Sequence, residues 1–121
     1  MREFDPKPPP AIAERRSYIR VPFLHPITIA LSPDGRAIEA SSIDISLGGV
    51  GLSSRGSFQK GQVVVLTFRV KDPKLGFVSE HVSGRVVNFV ADFDGNRLGV
   101  EFLEPLRVDS HPALTRAVGK L

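Results

Sequence analysis

From residue 14 onward, short runs of β-branched and other apolar residues alternate with polar ones and are divided by turn-forming residues. That is the pattern of a small antiparallel barrel or sandwich. Six strands are predicted, at His25 to Leu31, Arg36 to Ile45, Val50 to Ser53, Gln62 to Lys71, Phe77 to Val90 and Asn96 to Leu103. A period of two runs through them. Ile27 and Ile29 point to one side, and Val64, Leu66, Phe68 and Val70 line one face of the fourth run, so one side of the sheet is expected to be core. Ser32-Pro33-Asp34-Gly35 reads as a hairpin turn, because Pro presets φ and Gly tolerates the left-handed region. Asp94-Gly95-Asn96 marks another, and Lys60-Gly61 and Asp72-Pro73 punctuate the middle of the chain.

The two ends differ from this pattern. Residues 1–13 hold four prolines and no apolar periodicity, so they read as a flexible, proline-rich tail. At the other end, Asp109-Ser110-His111-Pro112 supplies an N-cap followed by a proline suited to a first helical turn, and Leu114, Val118 and Leu121 follow at helical spacing. The expected organisation is therefore a tail at 1–13, a β-barrel domain at 14–108 and a short helix at 109–121 that caps one end.

Composition narrows the chemistry. A chain of 121 residues suits one domain with a usable core. It has no cysteine, which excludes disulfides, thiolate nucleophiles and cysteine-type zinc sites. No apolar run approaches the roughly 20 residues that span a bilayer. MREFDPKPPP is charged and proline-rich where a signal peptide needs an apolar stretch, so the cytoplasm is the expected location. The net charge of +3 and a pI near 9.7 point mildly toward anionic partners. The distribution says more than the sum: Arg15, Arg16 and Arg20 fall within six residues, whereas the other basic residues are scattered among acids.

Two segments concentrate candidate chemistry. In Glu14 to Pro22, ERRSYIRVP, the proline biases Val21 away from helix, so the segment is expected to form an extended arm. Arg16, Tyr18 and Arg20 then share a face, where guanidinium groups can grip phosphates, recognise a guanine edge or stack on a base. Taken alone, such spacing better describes a solubilising lead-in to a barrel. The second segment is Asp44-Ile45-Ser46-Leu47-Gly48-Gly49. If the second predicted strand runs through it, Asp44 and Ser46 share one face and Ile45 and Leu47 the other. The hydroxyl suits a phosphate oxygen, the carboxylate suits the N1 and N2 donors of guanine, and the glycines let backbone approach an anion. Alone, it also reads as an Asx or Ser turn. Arg85 and Asn88, on the fifth predicted strand, either border such a site from the opposite wall or are ordinary outward polar residues. His25, His81 and His111 are too dispersed to form a metal set, and no GxSxG elbow marks a hydrolase.

Together the two segments resemble the PilZ domain family. Arg16-x-x-x-Arg20, preceded by Arg15, matches its RxxxR motif; Asp44-x-Ser46-x-x-Gly49 matches its [D/N]xSxxG motif; and Gly99-Val100-Glu101-Phe102 looks like its last-strand GVxF pattern. The resemblance covers about residues 14 to 104. It implies an all-β fold, a six-stranded antiparallel split β-barrel with a short C-terminal helix, that binds the bacterial second messenger cyclic di-GMP without catalysis, metal or cofactor. The segment 14–22 would be a mobile arm closing over the nucleotide, often bound as a stacked pair. Arg16 and Arg20 would contact guanine and phosphate with help from Arg15, Asp44 the guanine edge and Ser46 the phosphate side, while Gly48 and Gly49 make room. With one Tyr and no Trp in the chain, base stacking would fall largely on Arg. The expected partners are cyclic di-GMP and an effector protein or neighbouring domain. A small basic barrel that binds single-stranded nucleic acid is the alternative, set back by the missing aromatic platform, and a pure protein-interaction module is a third reading.

Overall fold

The computed structural model describes residues 18–31, 35–91 and 93–119. Among these residues, seven strands and one helix follow in chain order: β1 (Val21–Pro22), β2 (Pro26–Ala30), β3 (Ile38–Ile45), β4 (Gly49–Ser54), β5 (Val63–Asp72), β6 (Gly76–Val90), β7 (Asn96–Phe102) and α1 (Pro112–Val118). Six strands pair antiparallel in the order β3-β2-β5-β6-β7-β4, and β4 pairs back onto β3 to close the barrel. Closure leaves these six strands without a free edge, which removes the usual template for edge-to-edge association.

All six predicted strands are present. Period two holds where it was clearest, since Ile27 and Ile29 on β2 and Val64, Leu66, Phe68 and Val70 on β5 are all buried. They meet Val50 and Leu52 of β4, Val82 and Val86 of β6, and Leu98, Val100 and Phe102 of β7 in one core.

β1 is an addition to the six. It pairs with the end of β3, Val21 opposite Ile45 and Pro22 opposite Asp44, so β1 and β2 form two halves of one run along β3. The break between them is satisfied by Ser42, which is fully buried. Its Oγ donates to the Phe23 carbonyl and accepts from His25 N at 3.0 Å, which adds to the backbone bonds from Phe23 N to Ile43 O and from Ser42 N to His25 O, both at 2.9 Å. The hairpin turn expected at Ser32 to Asp34 lies outside the described residues.

The C-terminal segment forms a helix, but its N-terminal cap differs from the expected local one. His111 occupies the cap position without a side-chain cap bond, and Asp109 faces Arg107 instead. The free amides are met from across the fold, where Glu80 of β6 accepts from Ala113 N at 2.8 Å and from Leu114 N at 2.9 Å. A carboxylate at a helix N-terminus also opposes the partial positive charge there. Ala113, Leu114 and Val118 are buried against the barrel; Leu121 lies outside the described residues. One turn further on, Arg116 forms a two-pronged pair with Asp72, at 2.6 and 3.0 Å.

Candidate ligand site

On the outer face of the barrel, four strands present one transverse row. Asp44 of β3 lies opposite Gly51 of β4, Gly51 opposite Gly99 of β7, and Gly99 opposite Asn88 of β6. The two glycines have no side chain to raise the floor between the carboxylate and the amide. Each is also closely covered. A Cβ on Gly51 would come within 2.8 Å of Asp44 Oδ1, and one on Gly99 within 2.7 Å of Asn88 Nδ2.

Two β-bulges aim these walls. Strict alternation from the buried Ser42 would turn Asp44 inward, but the β3–β4 register shifts between Ser42 and Asp44 and brings the carboxylate out over Gly51. Likewise the β6–β7 register shifts between Val86 and Asn88, so that Asn88 rather than Val87 faces Gly99. Re-aiming a side chain is a common consequence of a bulge.

Asp44 is held rather than free. Its Oδ1 accepts from Gly51 N at 3.2 Å and from Arg20 Nη1 at 2.8 Å. Both partners of the ion pair reach solvent, at 42% and 38% side-chain exposure, so the pair adds little stability and can be exchanged for another partner. The arm therefore reaches the row through Arg20. Arg15 and Arg16 lie outside the described residues.

The next row runs from Gly49 to Glu101 and on to Arg85, which is exposed. Arg85 and Asn88 thus stand on the wall opposite Asp44, with β4 and β7 between. At ordinary strand spacing that floor measures on the order of 14 Å from β3 to β6.

Ser46 is placed differently from its expected position beside Asp44. β3 ends at Ile45, alternation stops, and Ser46 turns under the following loop with only 3% exposure. Its Oγ accepts from Gly48 N and Gly49 N, both at 3.2 Å, while Ser46 N donates to Gly49 O at 2.9 Å. This is a Ser-stabilised turn, and it delivers Gly49 to the start of β4. A Cβ on Gly49 would stand 2.6 Å from the Val100 carbonyl oxygen of β7, so glycine is required there by strand packing.

Sequence reasoning therefore named Arg20, Asp44, Ser46, Gly48, Gly49, Arg85 and Asn88, which the fold gathers around one face. It passed over Gly51 as part of this site and over Glu101. The signal for the floor was the glycine at alternate, outward positions in Gly49-Val50-Gly51 and again at Gly99, visible only once β4 and β7 are paired.

The remaining candidates do not converge. Among the described residues no group of His, Asp and Glu could hold a metal ion. His25 stacks on Phe23 with centroids 4.1 Å apart, and its burial lowers its pKa; His81 bonds Thr67, and His111 bonds the His81 carbonyl. A wider outer groove of about 660 Å³ lies beside the row, where Ser41, Ser53, Arg55 and Arg69 line it without any of the motif residues.

The family model described as the PilZ domain matches residues 14–120. Three solved structures are similar in fold. The Bacillus subtilis inhibitor of motility MotI/DgrA matches with a TM-score of 0.66 and 22% identity, over 88% of this chain and 53% of that one. The PilZ domain of YcgR from Escherichia coli with c-di-GMP matches with a TM-score of 0.60 and 20% identity, over 88% and 91% of the respective chains. Escherichia coli YcgR in complex with c-di-GMP gives 0.61 and 19%, over 87% of this chain and 45% of that one. The chain thus spans about half the length of the MotI/DgrA protein. No curated protein matches in sequence.

Proposed function

The chain belongs to the PilZ domain family, and from that premise we propose that it is a non-catalytic receptor for cyclic di-GMP. The observation that carries the reading is the outer face: a carboxylate reachable by an arginine arm, a glycine floor, and on the far wall an amide in the same row and a guanidinium in the next. Cyclic di-GMP offers two anionic phosphates and two guanines. It needs cations that both pair and stack, plus an acceptor for the guanine N1 and N2 donors.

In this proposal Asp44 exchanges Arg20 for a guanine edge, and Arg20, with Arg15 and Arg16 of the arm, turns to phosphate and base. Gly51 and Gly99 let the rings lie close to the sheet. Asn88 and Arg85 meet the ligand from the β6 side. Ser46, buried and bonded to two amides, contributes by holding the loop on which the phosphate side rests; Gly49 keeps that loop against β7. Binding orders the arginines of the arm on the ligand, and the altered surface is what an effector protein or neighbouring domain reads. Such a receptor belongs in the cytoplasm, and no helix among the described residues is long and apolar enough to cross a membrane.

The nucleic-acid alternative finds no support on this face. Among the described residues the exposed phenylalanines are Phe77, at the start of β6, and Phe93, in the turn beyond its end, and they offer no shared platform for successive bases.

Calorimetric titration with cyclic di-GMP at low salt tests the reading. Saturable binding is expected for the wild type, and roughly fivefold to hundredfold weaker binding for Asp44→Ala and Arg20→Ala, since a bidentate contact to a base edge is worth about 1–3 kcal/mol. Absence of saturation in the wild type, or unchanged affinity in both variants, would sink it.

A further inference from the structure

We infer that Tyr18 is the anchor that seats the arginine arm on the barrel, and that Gly48 is the socket that receives it. The next two side chains of the arm are open to solvent, Ile19 at 66% exposure and Arg20 at 42%, whereas Tyr18 is half-buried. Its ring lies directly over the Gly48 α-carbon: a Cβ there would be 2.7 Å from Tyr18 Cδ2 and 2.9 Å from Cε2. Those distances leave no room for any other residue at position 48 while the ring stays in place.

Backbone conformation does not explain this glycine. The glycines of positive φ among the described residues are Gly61, Gly76 and Gly95, so position 48 has a geometry open to other residues. It is the close approach of the ring that requires glycine. The socket is also firmly built. Gly48 O accepts from Phe102 N at 2.9 Å, and Leu47 O accepts from Leu106 N at 2.8 Å, which clamps the loop to β7 and to the segment after it. The surrounding cleft, about 250 Å³, is completed by Arg85, Glu101, Leu103 and Pro105. Tyr18 therefore touches the same cleft as Arg85 of the far wall.

Position along the arm supplies the consequence. Tyr18 and Arg20 are two residues apart, and the first sets its ring on Gly48 while the second sets its guanidinium on Asp44. With the ring seated, the guanidinium two residues on reaches Asp44. Without it, Arg20 keeps only a solvent-exposed ion pair. Resting on the receptor reading above, the anchor pre-sets the arm in its binding-competent position, and losing it reduces apparent affinity in proportion to the competent fraction.

The test uses the protein's single tyrosine and lack of tryptophan, which make intrinsic emission a report on Tyr18 alone. Acrylamide quenching is measured without ligand on the wild type and on Gly48→Val. The wild type is expected to be shielded and Gly48→Val to be quenched about as readily as N-acetyltyrosinamide. Wild-type quenching equal to that of the free amide, or no difference between the two proteins, overturns the anchor. Titration with cyclic di-GMP then compares Tyr18→Phe, which keeps the ring, with Tyr18→Ala, which removes it without crowding the loop. Near-wild-type affinity is expected for the first and about tenfold weaker binding for the second; equal affinity of Tyr18→Ala and wild type refutes the anchor's role in binding. A wild type that is shielded yet binds no cyclic di-GMP overturns the receptor reading and leaves the seat established by quenching.

Discussion

Replacing Gly49 by Ala adds one methyl group at a place where the fold has no room for it. The new Cβ would stand 2.6 Å from the Val100 carbonyl oxygen and 3.5 Å from Glu101 Cα, against an ordinary contact of at least 3.4 Å. Both close neighbours are backbone, so no side-chain rotation relieves the overlap. β4 and β7 must part by most of an ångström, and that strain falls on the Gly49 to Glu101 pairing and on the Ser46 turn that bonds Gly49 N and O. Overpacking of this kind costs about 1–3 kcal/mol. For a domain near this size each kcal/mol lowers Tm by roughly 4–8 °C, so a fall of about 5–20 °C is expected. Thermal and urea unfolding followed by far-ultraviolet circular dichroism measure it. A Tm within about 2 °C of wild type would refute the packing explanation and return Gly49 to a purely ligand-facing role. Cyclic di-GMP titration at low temperature, where the variant remains folded, separates the two effects.

Two further outcomes follow from the helix attachments. Glu80→Ala leaves the Ala113 and Leu114 amides without their acceptor and should cost about 1–2 kcal/mol in urea unfolding; a loss under about 0.5 kcal/mol would show that solvent serves as well. The second concerns acid. Asp72 is held at a pKa of about 2, against its ordinary 3.8, first by its hydrogen bonds from Arg116, with support from Lys74 N and Leu75 N, while burial acts the other way. Because the folded value is depressed, the unfolded chain binds the extra proton between these values, so this contribution is present above pH 3.8 and is lost as pH falls toward 2. In Arg116→Leu the opposing effect of burial is left unbalanced, and acid unfolding should begin at higher pH than in wild type. Coincident acid transitions in the two proteins would refute the link.

Much of this architecture is written locally in the chain. Period two in Val64 to Val70 is enough to place β5, because alternate side chains on one pleated strand must face one way, and that face is apolar. Asp72 at the end of β5 and Gly61, Gly76 and Gly95 at turns carry their own conformational reasons. The two motif segments, with Arg20 and Asp44, likewise declare the face on which chemistry is to be sought.

Other features depend on residues far apart in sequence. Gly51 and Gly99 form one floor only through the β4–β7 register, and Asp44 and Asn88 face it only through bulges, which a strict alternation cannot anticipate. Ser46 reads as a partner of Asp44 until β3 is seen to end at Ile45, after which the chain turns the hydroxyl inward. The helix cap comes from Glu80, 33 residues before Ala113, rather than from the local Asp109. β1 is recognisable only from its pairing with the end of β3, where Ser42 bridges the break in the neighbouring run. By itself the sequence determined the six strands of the barrel and the residue types of the candidate site, since these follow from side-chain periodicity and local backbone preference. Tertiary structure decided which of those residues meet, because barrel register and close backbone contact are set by pairing between distant strands.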